Sequence, residues 1–457
     1  MSLTLVMALV LGGCGKPGTI DVDTTGEDTQ DVSDPDVAGG GDSGIAGDVT
    51  EDTGDGIAAC ELDGGALLVA EEGDFLSRGE VLDGARERCT QVIHAGAGAA
   101  GSTLTLTLEG WSGAGAVQLA VMDLLGEPMA AWETIAVGEG VSFAPAISGE
   151  FFVRLAPVDP DEDETDYALS LACEAGCELA YTRYPLVMMH GMGGTDTFGE
   201  GLLDYWYQLA EPMAEAGYHA EMPGVTSWDP IEDRAPMWQD VLDALEAEGI
   251  GRRFNLIGHS QGGLDARYLT SVLEPAAGHD RVVSVTTVAS PHHGTAVADL
   301  FAGIIDEDGF FAGVIDVLVE SLSGLIGLSG DDLMAQVADL STVQMDAFNA
   351  EVLDRSGVSY YSWAGHSCGW VDFSCQADWD GELVDAALVT SYLVVSLAEG
   401  DNDGLVPIDS AKWGEFLGEI PADHMDQVGQ IADNNNEPFD HIGFFLDEAA
   451  RLAEAGF

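Results

Sequence analysis

Ser260 stands in the run Phe254-Asn255-Leu256-Ile257-Gly258-His259-Ser260-Gln261-Gly262-Gly263. A short apolar stretch leads into Gly-x-Ser-x-Gly, and Leu264 to Val272 then reads as a helix. Glycine at positions 258 and 262 permits a turn too tight for larger residues. Such a turn holds a serine hydroxyl out at the end of a strand, above a helix N-terminus. The chemistry this offers is nucleophilic attack by the serine, provided that a base removes its proton and an acid orients the base.

In strand–turn–helix sites of this kind the acid and then the base follow the serine in the chain. His292 and His293 come too soon after the next strand and read as part of the site wall. His366 lies in a loop rich in Trp and Cys. His424 and His441 remain as candidate bases. For the acid, Glu399-Gly400-Asp401-Asn402-Asp403-Gly404 follows the apolar run Leu393 to Leu397. That run reads as a strand, and an Asp at its end before Gly is suitably placed. Asp401 and Asp403 compete for the role.

The elements that must position these residues form two regions. From Tyr181 onward, buried-strand and amphipathic-helix patterns alternate. Pro185–Met189 and Val282–Ala289 read as strands, and Leu202–Ala216 and Met237–Glu248 as helices. The fold class expected is α/β, with a mostly parallel sheet covered on both faces. In such sheets ligands bind at the carboxyl ends of the strands, where Ser260 falls. Upstream, Ser102–Leu108, Ala116–Met122, Phe151–Leu155 and Tyr167–Leu171 alternate with turn residues and predict a small all-β sandwich. The expected domains are 60–177 for the sandwich and 178–457 for the α/β body.

The N-terminal apolar run of residues 1–13 resembles a signal sequence, and Leu11-Gly12-Gly13-Cys14 resembles a lipobox in which Cys14 is lipidated. The expectation is an exported protein, anchored as an outer-membrane lipoprotein or held at the cell surface. Residues 15–59 are Asp, Gly and Thr with few large apolar residues, which predicts a disordered acidic linker. The formal net charge of −67 gives a surface that repels nucleic acid and anionic membranes. Leaving Cys14 aside, six cysteines remain in a chain expected to be exported, which predicts disulfides. Cys368 and Cys375 are expected to pair with each other. Cys60, Cys89, Cys173 and Cys177 leave three connectivities open.

Several spaced motifs carry a resemblance. They are Tyr184-Pro185-Leu186-Val187-Met188-Met189-His190-Gly191-Met192, Asp204-Tyr205-Trp206, the Ser260 run, and Ser290-Pro291-His292-His293-Gly294. Further on come Gly357 to Gly365, Asn402-Asp403-Gly404-Leu405-Val406, and Asp423 to Gln430. With these, the chain from Tyr184 to its end resembles secreted bacterial triacylglycerol lipases of the Pseudomonas/Burkholderia type, which are α/β-hydrolases. The resemblance implies Ser260 as nucleophile, Asp403 as orienting acid and His424 as base, and makes His441 structural. The oxyanion donors would be the N–H of Gln261, the residue after the nucleophile, and, by the resemblance, that of Met192. The resemblance also implies one structural Ca²⁺ that fixes the loop carrying His424. Its ligands would be Asp426, Gln430, the Asn434 carbonyl and an upstream Asp, for which Asp380 is preferred over Asp378 and Asp385. A dedicated foldase chaperone is a further implied partner. One departure is that the family's usual cysteine after the acid is missing from Pro407-Ile408-Asp409-Ser410.

Gly149–Pro157 followed by Thr165–Leu171 resembles the last hairpin of bacterial pre-peptidase C-terminal-type domains. Between Ala296 and Asn349, Phe311, Val314, Ile315, Leu318, Leu322, Leu325 and Ile326 recur at helical spacing. The position of this insertion predicts a helical lid over about 297–349. The expected function is therefore hydrolysis of a lipid ester, most specifically triacylglycerol, through an acyl-enzyme on Ser260. The alternatives are a short-chain carboxylesterase, or a surface-anchored binding protein with a degenerate hydrolase domain.

Overall fold

A computed structural model describes residues 67–69, 75–86, 91–159, 163–194, 205–304, 314–319, 337–370, 372–373, 375–377, 381–430 and 439–457. The signal-like run, Cys14, the acidic linker, Cys60, Cys89, Asp204, Phe311, Leu322, Leu325, Ile326, Asp378, Asp380 and Asn434 lie outside the described residues. The remainder falls within one compact unit, Glu61–Phe457.

The first ten strands form two sheets. One joins β1 (Leu67–Val69), β2 (Phe75–Leu76), β4 (Gln91–Gly98), β6 (Val117–Met122), β7 (Pro128–Ile135) and β9 (Gly149–Pro157). The other has the order β3 (Val81–Arg86), β10 (Thr165–Ala175), β5 (Thr103–Trp111) and β8 (Gly140–Phe143), antiparallel throughout. Alternate residues are buried along β5 and β10, as the period-two pattern demands when one face of a strand is covered. Leu104, Leu106, Leu108, Phe151, Val153, Leu155, Leu169 and Leu171 meet in one apolar core. The expected last hairpin does not form. β9 pairs with β4 and β6, whereas β10 pairs with β3 and β5, so the connection between them crosses from one sheet to the other. Cys173 and Cys177 are bonded, with Cα atoms 5.8 Å apart.

Six parallel strands follow, in the order β12 (Ala220–Glu221), β11 (Leu186–Met189), β13 (Phe254–His259), β14 (Val282–Val288), β15 (Ser359–Gly365) and β16 (Glu415–Ile420). Every residue of β11 and β13 is buried, because helices cover both faces of a parallel sheet and leave no solvated side to alternate with. Helices among the described residues include α1 (Ala210–Ala216), α2 (Ile231–Ala247), α3 (Gln261–Tyr268), α4 (Ala296–Phe301), α5 (Thr342–Glu351), α6 (Val389–Ala398) and α7 (His441–Glu454). After β11 the chain steps outward to β12, then returns to add β13 on β11's other side. The crevice at that reversal opens beyond the carboxyl ends of β11 and β13.

The run Leu393–Leu397, read as a strand, lies inside helix α6. A short apolar run fits either element, and here Tyr392, Val394 and Val395 are buried around the helix rather than along one pleat. The strand that leads toward the acid is β15. Of the expected lid, α4, a helical stretch at 314–319 and α5 are described. Leu318 packs with Val297, Leu300, Val394 and Val395, so this part of the insertion turns its apolar side onto the body.

The turn between β13 and α3 constrains this architecture most tightly. A Cβ on Gly262 would collide with the Met189 carbonyl oxygen, and one on Gly258 would lie 2.5 Å from the Gly263 nitrogen. Neither obstacle is a side chain that could swing aside. Gly262→Ala therefore lowers the thermal midpoint markedly and abolishes ester hydrolysis together with it. A variant that melts like the wild type would show that β11 can move away from α3.

Candidate active site

Ser260 sits at φ +56° and ψ −128°, a backbone region that non-glycine residues rarely occupy and that costs energy to hold. The strain is stored at the residue whose hydroxyl is presented. His424 Nε2 lies 3.0 Å from Ser260 Oγ, and His424 Nδ1 lies 2.8 Å from Asp403 Oδ2. A carboxylate only accepts, so Nδ1 carries the hydrogen and Nε2 is left to accept the serine proton. Asp403 is fully buried. Its Oδ1 accepts from the Leu405 and Val406 backbone N–H, at 3.0 and 2.7 Å. Its Oδ2 also accepts from Gln427 Nε2 at 3.1 Å. Of the two acids left open by the sequence, Asp401 is exposed and Asp403 is the one that meets the histidine.

The other histidines are engaged elsewhere. His441 Nε2 donates to the Tyr207 carbonyl at 2.8 Å at the start of α7. His292 is fully buried. Its Nδ1 accepts from Arg267 at 3.1 Å, and its Nε2 lies 2.9 Å from Thr287 Oγ1. Burial and the Arg267 charge push it well below the usual imidazole range. His366 lies 3.0 Å from Glu419.

The loop after β11 lies against the serine, since a Cβ on Gly191 would sit 2.7 Å from Ser260 Cβ. Neither the Met192 nor the Gln261 backbone N–H donates to a backbone carbonyl among the described residues. The second lies at the start of α3, where the first N–H groups have no intrahelical partner.

Two sets of side chains that the sequence did not single out hold this loop. Arg234, fully buried, donates to His190 O at 2.6 Å, to Gly191 O at 3.2 Å and to Asp265 Oδ2 at 2.9 Å. Asp265 belongs to α3, so one guanidinium ties the loop to the helix behind the serine. Burial pushes Asp265 up to about 6, while Arg234 and the Trp238 indole N–H oppose the shift. His190 accepts from Val225 N at Nε2 and lies 2.9 Å from Gly191 O at Nδ1. Burial and then Arg234 push it down to about 3, so it stays neutral. On the other side, the Tyr205 hydroxyl accepts from Gly191 N at 3.0 Å and lies 2.7 Å from His259 Nδ1. The His259 ring is 4.7 Å from that of His424, and burial first, then the His424 charge, keep it neutral. The sequence-level signal for Arg234 is only its rarity as a cation inside an apolar-patterned helix.

The loop that carries His424 is organised by Asp423. Asp423 Oδ1 accepts from the Met425 and Asp426 N–H, and Oδ2 accepts from Asp385 N at 2.7 Å. Carboxylate oxygens of Asp385, Asp423 and Asp426 lie within 4.8 Å of one another. Burial and the Asp385 charge push Asp423 up to about 7. Three converging oxygen donors of this kind suit a hard divalent cation. Asp426 was expected there, and Asp385 was a competitor for the upstream position. Asp423 was not expected. Gln430 is buried on the same loop.

A cavity of about 380 Å³ opens beside Gln261. Ile231, Tyr268, Leu340, Met345 and Phe348 line it, with Glu232, Asp339 and Glu351 among its polar residues.

Arg234→Met leaves Asp265 buried without its charge partner, which costs about 3–5 kcal/mol of stability in denaturant unfolding. Arg234→Met/Asp265→Leu recovers most of that stability but not kcat on a soluble ester, because His190 O and Gly191 O still lack their donor. Full recovery of kcat would mean that the loop needs no guanidinium.

Residues 185–324 match the family described as palmitoyl protein thioesterase. A triacylglycerol lipase of Burkholderia plantarii is 29% identical over 306 residues, 58% of this chain and 84% of that protein. One from Vibrio cholerae serotype O1 is 29% identical over 296 residues, 60% of this chain and 89% of its own. One from Pseudomonas fragi is 28% identical over 298 residues, 60% of this chain and 98% of its own. Among solved structures, the mature Bacillus licheniformis lipase BlEst2 covers 59% of this chain and 92% of its own, at 21% identity and a TM-score of 0.42. That overlap is too low to weigh beside the strand order. From Tyr184 onward the chain thus has the fold of an α/β-hydrolase, a parallel sheet with the serine turn at its switch point, and is similar in sequence to these bacterial triacylglycerol lipases.

Proposed function

We propose that the protein hydrolyses carboxylic esters of lipids, with acylglycerols as substrates and Ser260, His424 and Asp403 as nucleophile, base and orienting acid. The observation that carries this reading is the position of His424, with Ser260 on one ring nitrogen and Asp403 on the other. Ser260 Oγ attacks the ester carbonyl as its proton passes to His424 Nε2. Asp403 stabilises the imidazolium and keeps the ring oriented. The negative charge that develops on the carbonyl oxygen is met by the Gln261 and Met192 N–H groups. His424 then gives its proton to the leaving alcohol, which departs and leaves an acyl group on Ser260. Water, deprotonated by the same imidazole, releases the fatty acid and restores the serine.

The apolar residues of the cavity beside Gln261 support its use for the acyl chain. Residues 297–349 are read as a lid, supported by the burial of Leu318 against α4 and α6. Asp385, Asp423 and Asp426, with Gln430 nearby, would hold a Ca²⁺ ion. The ion's contribution would be structural: it would neutralise the three carboxylates and brace the loop that carries His424. The two disulfides among the described residues suit an oxidising compartment. Acylation of Cys14 and a dedicated foldase belong to the same reading and are supported by the lipobox-like run and by the lipase resemblance.

The test compares an emulsified long-chain triglyceride with a soluble short-chain ester. Wild type cleaves both, and Ser260→Ala loses about 10⁶-fold in kcat. Cleavage of the soluble ester alone would make this a carboxylesterase. No cleavage by folded wild type would bring the binding-protein alternative forward. A calcium chelator lowers the thermal midpoint and activity of the wild type, and added Ca²⁺ restores both. Asp426→Asn shows the lowered midpoint without chelator. A midpoint indifferent to chelator would remove the ion from the account. Met345→Trp narrows the cavity beside Gln261 and shifts preference toward shorter acyl chains, at a cost of about 1–3 kcal/mol in stability because Met345 is packed in the core. An unaltered chain-length profile would place the acyl group elsewhere.

A further inference from the structure

We propose that the loop closed by Cys368–Cys375 is an aromatic prong that seats the protein on a neutral lipid surface, with Phe373 and Trp370 entering the surface. The inference deepens the reading of the site as a lipid-ester hydrolase and rests on it. Phe373 is 77% exposed, Trp370 53% and Leu383 46%. Trp370 and Phe373 lie on that loop and Leu383 on the stretch bridged to Cys368, and exposed large apolar side chains so grouped are not an ordinary solvated surface. Aromatic rings with a satisfied polar handle are the side chains that favour the boundary between water and lipid.

Several polar groups of the loop's described residues are satisfied from within, as a segment entering an apolar medium requires. Asp372 N donates to Gly369 O at 3.0 Å, and Gln376 N donates to Asp372 O at 3.0 Å. Cys375 N donates to Asp372 Oδ1 at 3.0 Å, and Gln376 Nε2 donates to Gly369 O at 2.6 Å. The Trp370 indole N–H donates to Val384 O at 2.6 Å, which satisfies the ring's polar atom while its carbons face outward. The disulfide spans Cα atoms 5.7 Å apart. Cys368 exchanges backbone bonds with the strand-like stretch beside it, accepting from Val384 N at 3.0 Å and donating to Glu382 O at 3.3 Å. Gly369 lies directly on the Tyr392 ring of α6.

Its place in the fold gives the surface its orientation. The loop leaves the carboxyl end of β15, the same end of the sheet at which β13 presents Ser260. Ser367 N donates to Asn402 O at 3.1 Å, one residue before Asp403. A lipid surface met by Phe373 and Trp370 therefore faces the end of the sheet that carries the serine. The charge of the chain selects the kind of surface. With 81 acidic and 14 basic residues, the protein is repelled by anionic headgroups, which leaves zwitterionic or uncharged lipid as the surface it can approach.

The experiment uses the full chain with Cys14→Ser throughout, so that no acyl chain contributes. Flotation with phosphatidylcholine vesicles is compared for this protein, Phe373→Ser and Trp370→Ala. Each variant binds about tenfold more weakly, the loss expected when one aromatic side chain is no longer buried. Hydrolysis of a triglyceride emulsion falls with binding, while hydrolysis of a soluble short ester is unchanged. Vesicle binding indifferent to both substitutions, with both esters still cleaved, would overturn the prong and leave the hydrolase reading standing. Vesicle binding that depends on Phe373 in a protein that cleaves neither ester would do the reverse. Binding only to vesicles enriched in anionic lipid, or self-association lost in Phe373→Ser without vesicle binding, would also overturn it, the second by making the patch a protein interface.

Discussion

The close packing of α3 against the end of β11 governs the catalytic part of this molecule. Gly262 touches the Met189 carbonyl so closely that no side chain fits, and Gly263 is packed against Ser290 and Thr287 in the same way. With the helix pressed onto the sheet, the chain can enter it only through a sharp turn, and Ser260 takes the positive φ that the turn requires. The hydroxyl is then held clear of the sheet, the helix N-terminus lies beside it, and the Gln261 N–H is left without an intrahelical partner. One steric constraint thus both presents the Ser260 hydroxyl and leaves the Gln261 N–H beside it.

The second amide depends on electrostatics rather than sterics. The loop His190-Gly191-Met192 carries carbonyls that point into the protein, and buried carbonyls need donors. Arg234 supplies them, and Asp265 from α3 offsets the cost of burying that guanidinium. From the opposite side the Tyr205 hydroxyl takes the Gly191 N–H and links it to His259. The loop is held between a charged pair and a neutral one. His190 and His259 are both kept neutral by burial, so no second imidazolium competes with His424.

His424 is delivered by a loop that organises itself around Asp423, whose two oxygens take three backbone N–H groups. Gln427, four residues on from Asp423, reaches Asp403, so the base and its acid share a neighbour as well as a hydrogen bond. The insertion between β15 and Asp403 ends in α6, and the Cys368–Cys375 loop lies on that helix. The Cys368–Cys375 disulfide is local, closing over a separation of seven residues.

The sequence alone determined the serine, its strand–turn–helix setting, the order of acid and base, the two kinds of sheet and the Cys368–Cys375 bond. Each is legible because it is local: glycines within a few residues, a period of two or an unbroken apolar run, two cysteines seven apart. The choice of Asp403 over Asp401 and of His424 over His441 needed a resemblance first and then geometry, because spacing treats each pair alike. The strand read at Leu393–Leu397 is a helix, since an apolar run this short carries no period of its own. The hairpin read at β9 and β10 is a crossing between sheets, because alternation gives the buried face of a strand but not its neighbour. Arg234, Asp265, Tyr205, His259 and Asp423 were decided only by the tertiary structure. Their roles arise from partners far apart in the chain, with Tyr205 and His259 54 residues apart and Asp385 and Asp423 38 apart. A buried charge or hydroxyl acquires its function only when folding removes water and sets one particular partner in the water's place.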